Sequence, residues 1–152
     1  MSITVLPLDK LKECIGEEKK SEWMVISQER INQFADCTDD HQFIHVDEEL
    51  AKQGPFGTTI AHGFLTLSLL TRMASEGTWM PEGIKAAINY GFNKVRFVDP
   101  VPSGSKIQDT MQLTSIEEKS NGKVLMTVTH TVQVEGKEKP SLVAEWLMMY
   151  FV

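Results

Sequence analysis

Apolar residues change their spacing part-way along the chain, from helical recurrence to alternation, and the change separates a helical first half from a strand-rich second half. Ser27 stands where a helix N-cap would stand, and Ile31, Phe34 and Ala35 follow at helical spacing. The pattern predicts a helix that stops before Asp39 and Asp40. Before it, Leu6 to Glu18 reads as a loop or one weak helical turn, and Trp23 to Ile26 as a short strand. Val46 to Lys52 predicts another short helix, closed by the breaker Gly54-Pro55-Phe56-Gly57. From Ile60 to about Ala74 apolar residues cover nearly the whole circumference, which predicts a helix buried on most of its sides.

Past Pro81 the texture changes. Lys85 to Phe97 mixes β-formers with breaks, Ser105 to Ile116 alternates with Ile107, Met111 and Leu113 inward, and Asn121-Gly122 supplies a hairpin turn. Val124 to Val134 alternates apolar residues against Thr127, Thr129, Thr131 and Gln133, and Leu142 to Val152 reads as a closing strand. One long apolar helix followed by several antiparallel strands implies an α+β domain in which a curled sheet wraps the helix. No repeat, low-complexity tract or linker suggests a second domain, so residues 1–152 are read as one. Such a sheet leaves an edge strand open, and an apolar edge is a liability unless another chain covers it; a homodimer is expected.

Composition narrows the function. At 152 residues and 41% hydrophobic, the chain is long enough for its own core. A formal charge of −6 argues against gripping nucleic acid through bulk charge. Neither a secretory leader nor an apolar run of about 18 residues is visible, so no membrane association is expected and the default location is cytoplasmic. Cys14 and Cys37 have no metal-type spacing and need not form a bridge.

The candidate chemistry lies between Phe34 and Met73. Asp40 and His45 are five residues apart, so on a regular helix their side chains would diverge by about 140°. They converge only if the segment is a loop or a helix entry. A carboxylate and an imidazole brought together in a pocket can share the proton transfers of an addition or elimination. The plainer reading has Asp40 capping the following helix and His45 half-buried. His41 and His45 at i, i+4, with Asp40 or Asp47, can be drawn as a metal site, but no fourth ligand is apparent and no metal is expected. Thr58 and Thr59 resemble caps for the apolar helix, whose free N–H groups would seat an oxygen that gains negative charge, with Gly63 allowing close approach. The plainer role for Gly63 is tight packing of the helix on the sheet. His62, hemmed in by Ala61 and Gly63, reads as a hydrogen-bonded structural residue, and His130 as a core or interface histidine, with lining of the pocket as its lesser alternative.

Asp40-His41-Gln42-Phe43-Ile44-His45, followed by Ile60-Ala61-His62-Gly63-Phe64-Leu65, resembles the paired motifs of the MaoC-like dehydratases, the (R)-specific enoyl-CoA hydratases of hot dog fold. The wording from Gly54 to Leu69, with Ile88 to Gly91 and Lys94 to Phe97, is closest to the NodN-like branch. The resemblance spans the chain from about Ile26 to its end. It implies a hot dog fold with Asp40 and His45 catalytic, holding and activating a water that adds to the β-carbon of a trans-2-enoyl thioester to give an (R)-3-hydroxyacyl thioester. Gly63 would offer its N–H to the thioester carbonyl, and His62, Gln42 and Thr71 complete the substrate side. Gln42-Phe43 stands where many members carry Asn-Pro, and Thr71 falls where many carry a serine. Neither metal nor organic cofactor is implied, and the thioester partner is coenzyme A or acyl carrier protein.

Two other readings stay open on the same fold. A non-catalytic acyl-thioester-binding module would have no need for both Asp40 and His45. A thioesterase would want a carboxylate on the central helix, and Ile60 to Met73 carries no Asp or Glu. Lys94 and Arg96 are candidates for a carrier's phosphates, or solvated strand residues; Trp79 and Met80 border an acyl tunnel or close the core.

Overall fold

A computed structural model describes residues 2–152. The first half holds six short helices. α1 (Leu8–Glu13) lies between β1 (Thr4–Leu6) and β2 (Glu18–Lys20), where the sequence suggested only a loop or a weak turn. After β3 (Met24–Val25) comes α2 (Gln28–Thr38), whose Arg30 N–H donates to the Ser27 hydroxyl at 3.2 Å, the expected cap. α2 ends at Asp39 in the left-handed conformation, φ 58°, so the chain leaves the helix axis one residue before Asp40. α3 (Phe43–Val46) and α4 (Glu48–Lys52) follow, with the Asp47 carboxylate capping α4 through the Leu50 N–H at 2.9 Å.

The central helix departs from its expected form. It begins at Gly63 rather than Ile60, because Ile60 bridges to Pro102 and Ala61 donates to the Val101 carbonyl, which keeps both in extended backbone. It also breaks at Leu69 into α5 (Gly63–Ser68) and α6 (Leu70–Ala74). Nor is it enclosed all round: Leu65, Leu70 and Met73 are buried, whereas Phe64 is 69% exposed.

The second half is sheet. β4 (Trp79–Pro81) pairs in parallel with β1, and β5 (Ala86–Phe97), β6 (Lys106–Lys119), β7 (Lys123–Val134) and β8 (Leu142–Phe151) join an antiparallel sheet of order β2-β6-β7-β8-β5. Asn121 and Gly122 both have positive φ, as the tight hairpin between β6 and β7 requires. Ile107, Met111 and Leu113 from β6 and Val128 and Val132 from β7 meet Leu65, Leu70 and Met73 in one core. Trp79 is fully buried there, so it closes the core. β5 is bonded only on its β8 side and is exposed on most of both faces. Among the described residues no helix is long and apolar enough to cross a membrane.

Candidate active site

Two segments meet at the amino end of α5. α3 turns His45 inward, where it is 7% exposed, and the Ile60 N–H donates to the Ile44 carbonyl at 2.9 Å. His45 Nδ1 lies 2.7 Å from the Ile60 carbonyl oxygen. A carbonyl only accepts, so Nδ1 carries the proton and Nε2 keeps its lone pair. Gln28 ties the same region from α2: its amide donates to the His45 carbonyl at 2.7 Å and its oxygen accepts from the Thr59 hydroxyl at 2.5 Å. Thr59 therefore braces the loop and does not cap α5; the N-cap is His62, without a side-chain bond to the helix.

His62 Nε2 lies 3.0 Å from the Asp40 carbonyl oxygen, which makes it the donor and fixes the loop that presents Asp40. The imidazoles of His45 and His62 stack at 3.8 Å and 25°, and Phe34 covers His62 from 5.0 Å. One ligand atom each from Asp40, His45 and His62 lies within 4.8 Å of the others. The five-residue spacing that would separate Asp40 from His45 on a helix is thus overcome, since Asp40 stands in the loop between α2 and α3. Asp40 is exposed and does not cap α3; its carboxylate meets only the Gln42 N–H, at 3.4 Å.

The other pairing drawn from the sequence does not form. His41 turns outward to Asp36, 2.9 Å away, and Asp47 caps α4, so neither joins His45 in a metal site. Asp40, His45 and His62 do make a three-residue group; its two imidazoles are stacked, each has one nitrogen on a backbone carbonyl, and His62 Nδ1 is buried without a partner. Burial, first, pushes the His45 imidazole below its ordinary range, and His62 lowers it further; the Ile60 bond and the Asp40 charge pull it back up.

A cavity of about 200 Å³ opens beside His45, lined by His45, Ala61, Gly63, Thr66, Phe97 and Ser141 among others; Asp40 and His62 are not among its lining residues. Gly63 is the first residue of α5, so its N–H has no acceptor within the helix. A Cβ there would sit 2.9 Å from Phe97 Cδ1, so any larger residue requires the Phe97 ring to move. Gln42 is exposed and contributes its carbonyl to the His45 N–H at 2.9 Å. Thr71 stands two turns further along the helix, away from Asp40 and His45, with its hydroxyl on the Ser68 carbonyl at 2.9 Å.

Three residues were not singled out from sequence. Gln28 offers little local signal, because apart from Asn32 one turn on, its partners lie 17 and 31 positions away. Ser141 lines the cavity with a buried, unpartnered hydroxyl, yet in sequence it is an ordinary strand-entry serine. Asp109 was legible: it falls on the inward phase of Ile107, Met111 and Leu113, where a carboxylate needs a partner, and His130 provides one at 2.6 Å.

Comparison with known proteins follows the same geometry. The family described as MaoC like domain matches residues 10–135. A 3-hydroxyacyl-thioester dehydratase Z from Mycobacterium tuberculosis is 54% identical over 131 residues, which is 86% of this chain and 86% of that protein. A nodulation protein N from Rhizobium leguminosarum bv. viciae is 43% identical over 135 residues, covering 88% and 84%. The solved structure of a MaoC-like dehydratase from Rhodospirillum rubrum superposes with a TM-score of 0.77 at 19% identity, over 96% of this chain and 97% of that one. The curled sheet and its helix are those of the hot dog fold.

Proposed function

The chain belongs to the MaoC-like domain family and is a hydro-lyase of the hydratase and dehydratase type, and from that premise we propose that Asp40 and His45 add water reversibly to trans-2-enoyl thioesters. The observation that carries this reading is the His45 ring. Its Nδ1–H is held by the Ile60 carbonyl, which leaves Nε2 as the basic nitrogen, a ring nitrogen lies within 4.8 Å of an Asp40 carboxylate oxygen, and burial lowers its pKa below the ordinary value.

The steps balance as follows. A water bound between the Asp40 carboxylate and His45 Nε2 loses a proton to Nε2 while its oxygen bonds to the β-carbon. The double-bond electrons move onto the thioester oxygen, which accepts from the Gly63 N–H. The imidazolium then returns a proton to the α-carbon and the carbonyl re-forms. Asp40 orients the water and stabilises the imidazolium, and the Gly63 N–H stabilises the enolate-like oxygen, a contribution of about 3 kcal/mol for a donor of this kind. His62 positions Asp40 through its backbone and His45 through stacking, and Gln28 and Gln42 hold the His45 backbone.

The substrate is an acyl thioester, the product is taken to be the (R)-alcohol, and the working unit is taken to be a homodimer joined along β5. The test is the loss of enoyl-thioester absorbance with crotonyl-CoA, for wild type and Asp40→Asn, followed by chiral analysis of the product. Hydration to the (R)-alcohol by the wild type alone supports the assignment. Equal rates for both proteins would remove Asp40 from it, and no turnover by either would favour a binding module.

A further inference from the structure

A second cavity, of about 250 Å³, lies at the far end of the central helix, where β7 and β8 form its wall. It is mostly apolar, with polar groups from Thr71, Ser75, Thr78, Asn89 and Tyr150 on its lining, and two further residues stand out. His130 is 1% exposed and Trp146 6% exposed, and both line it; His130 Nε2 and Trp146 Nε1 have no hydrogen-bond partner. Buried polar atoms are hydrogen-bonded as a rule, so two unpartnered atoms on one cavity wall mark a place for a polar ligand group.

His130 is fixed from behind. Its Nδ1 lies 2.6 Å from Asp109 Oδ2, and Asp109 is fully buried with its own N–H on the Ser21 hydroxyl at 3.0 Å. Register explains the pairing: Met111 opposes His130 and Asp109 opposes Val132, so the acid and the imidazole are diagonal neighbours on one face of the sheet. With Nδ1 donating to the carboxylate, Nε2 presents a lone pair, while the Trp146 indole can only donate. With the imidazole neutral, these two rings, 5.4 Å apart, offer one acceptor and one donor side by side. A hydroxyl satisfies both.

The cavity also lies further along the helix that begins at Gly63. One stripe of the helix borders three cavities in turn: Gly63 and Thr66 the catalytic cavity, Leu67 and Thr71 an intermediate one of about 170 Å³, Thr71 and Ala74 the far one. Trp146 lines both the intermediate and the far cavity. From Gly63 to Thr71 the helix advances about 12 Å, which an extended chain of about ten carbons spans.

We propose that the far cavity is an acyl subsite for a chain bearing a hydroxyl, which donates to His130 Nε2 and accepts from Trp146 Nε1. This rests on the assignment of the catalytic cavity to an acyl thioester. It extends that assignment to a substrate class, medium-length hydroxylated acyl thioesters.

The test is calorimetric binding of two saturated, unreactive probes, decanoyl-CoA and decanoyl-CoA hydroxylated at the chain end, with crotonyl-CoA hydration measured on the same wild-type protein. Wild type should bind the hydroxylated probe about tenfold more tightly, as two added hydrogen bonds allow. Trp146→Phe keeps the ring and loses the donor. His130→Asn keeps an N–H for Asp109 and loses the distal nitrogen. Each should remove most of the preference while changing decanoyl-CoA affinity little. Equal affinities in wild type, as expected if the wall only holds water, would overturn the subsite, as would a preference that survives both substitutions. Failure to hydrate crotonyl-CoA would count against the catalytic assignment alone, since the binding difference decides the subsite without turnover.

Discussion

Gly63 is where one added methyl group tests most of the site. A Cβ would meet Phe97 at 2.9 to 3.1 Å, and the Phe97 ring, 48% exposed, can swing away, so the cost falls on the cavity more than on the fold. Gly63→Ala keeps the backbone N–H but fills the space beside it, and should lower kcat/KM by about 10²-fold while the melting temperature drops only a few degrees; an unchanged rate would mean that Phe97 yields the space and that the substrate still reaches this N–H. His45 makes a pH prediction whose sign is fixed by its burial. Its folded-state pKa is below the ordinary 6.5, so the unfolded chain binds more protons and stability is lost as pH falls below about 6.5. His45→Gln should flatten that loss, and wild-type activity should persist to a lower pH than an ordinary imidazole base allows. Denaturation midpoints and rate profiles across pH 5 to 7.5 check both. Asp40, His45 and Gly63 were legible because their residue types and order carry a motif. Gln28 and Ser141 were not, because each acts through a partner brought close by the fold and has no local pattern of its own.

At the level of elements, alternation placed β6, β7 and β8 and the Asn-Gly turn correctly because local sequence decides them: inward residues fill one core, and two consecutive positive-φ residues fit the hairpin. The central helix was misjudged at its start for the opposite reason. Ile60 and Ala61 are apolar enough for a helix, but their backbone groups are taken by Ile44, Val101 and Pro102, partners set by tertiary structure. The hairpin gives a clean stability prediction. Gly122 has φ 67°, and a Cβ there would lie 2.9 Å from the Val152 carbonyl oxygen, while the Val152 N–H donates to Gly122 at 2.9 Å. Gly122→Ala should cost about 1 to 3 kcal/mol, read by chemical denaturation, with the catalytic rate per folded molecule unchanged because the hairpin is remote from His45. A neutral substitution would mean that the turn relaxes freely and does not fix the β6–β7 register.

The molecule as a whole ends on an unfinished edge. β5 bonds to β8 on one side only, and Ile88, Tyr90, Phe92 and Phe97 are each at least 40% exposed along it, with Phe64 at 69% on the neighbouring helix. A lone chain would leave unpaired backbone groups and aromatic surface in water together, the combination that proteins otherwise blunt with charge, proline or a covering element. Of these β5 carries only Lys94 and Arg96, and both lie toward its Phe97 end. A second copy is the simplest cover, because a twofold axis lets each β5 pair with its counterpart and bury the same aromatic residues. Sedimentation velocity should therefore give a species of twice 17.1 kDa at micromolar concentration. Tyr90→Lys combined with Phe92→Lys should shift it toward monomer by setting like charges against each other across the axis. Activity should fall with the dimer, because Phe97, which lines the catalytic cavity and limits the space at Gly63, sits at the end of the same strand. A monomeric wild type with full activity would assign β5 to some other partner and make the catalytic cavity complete within one chain.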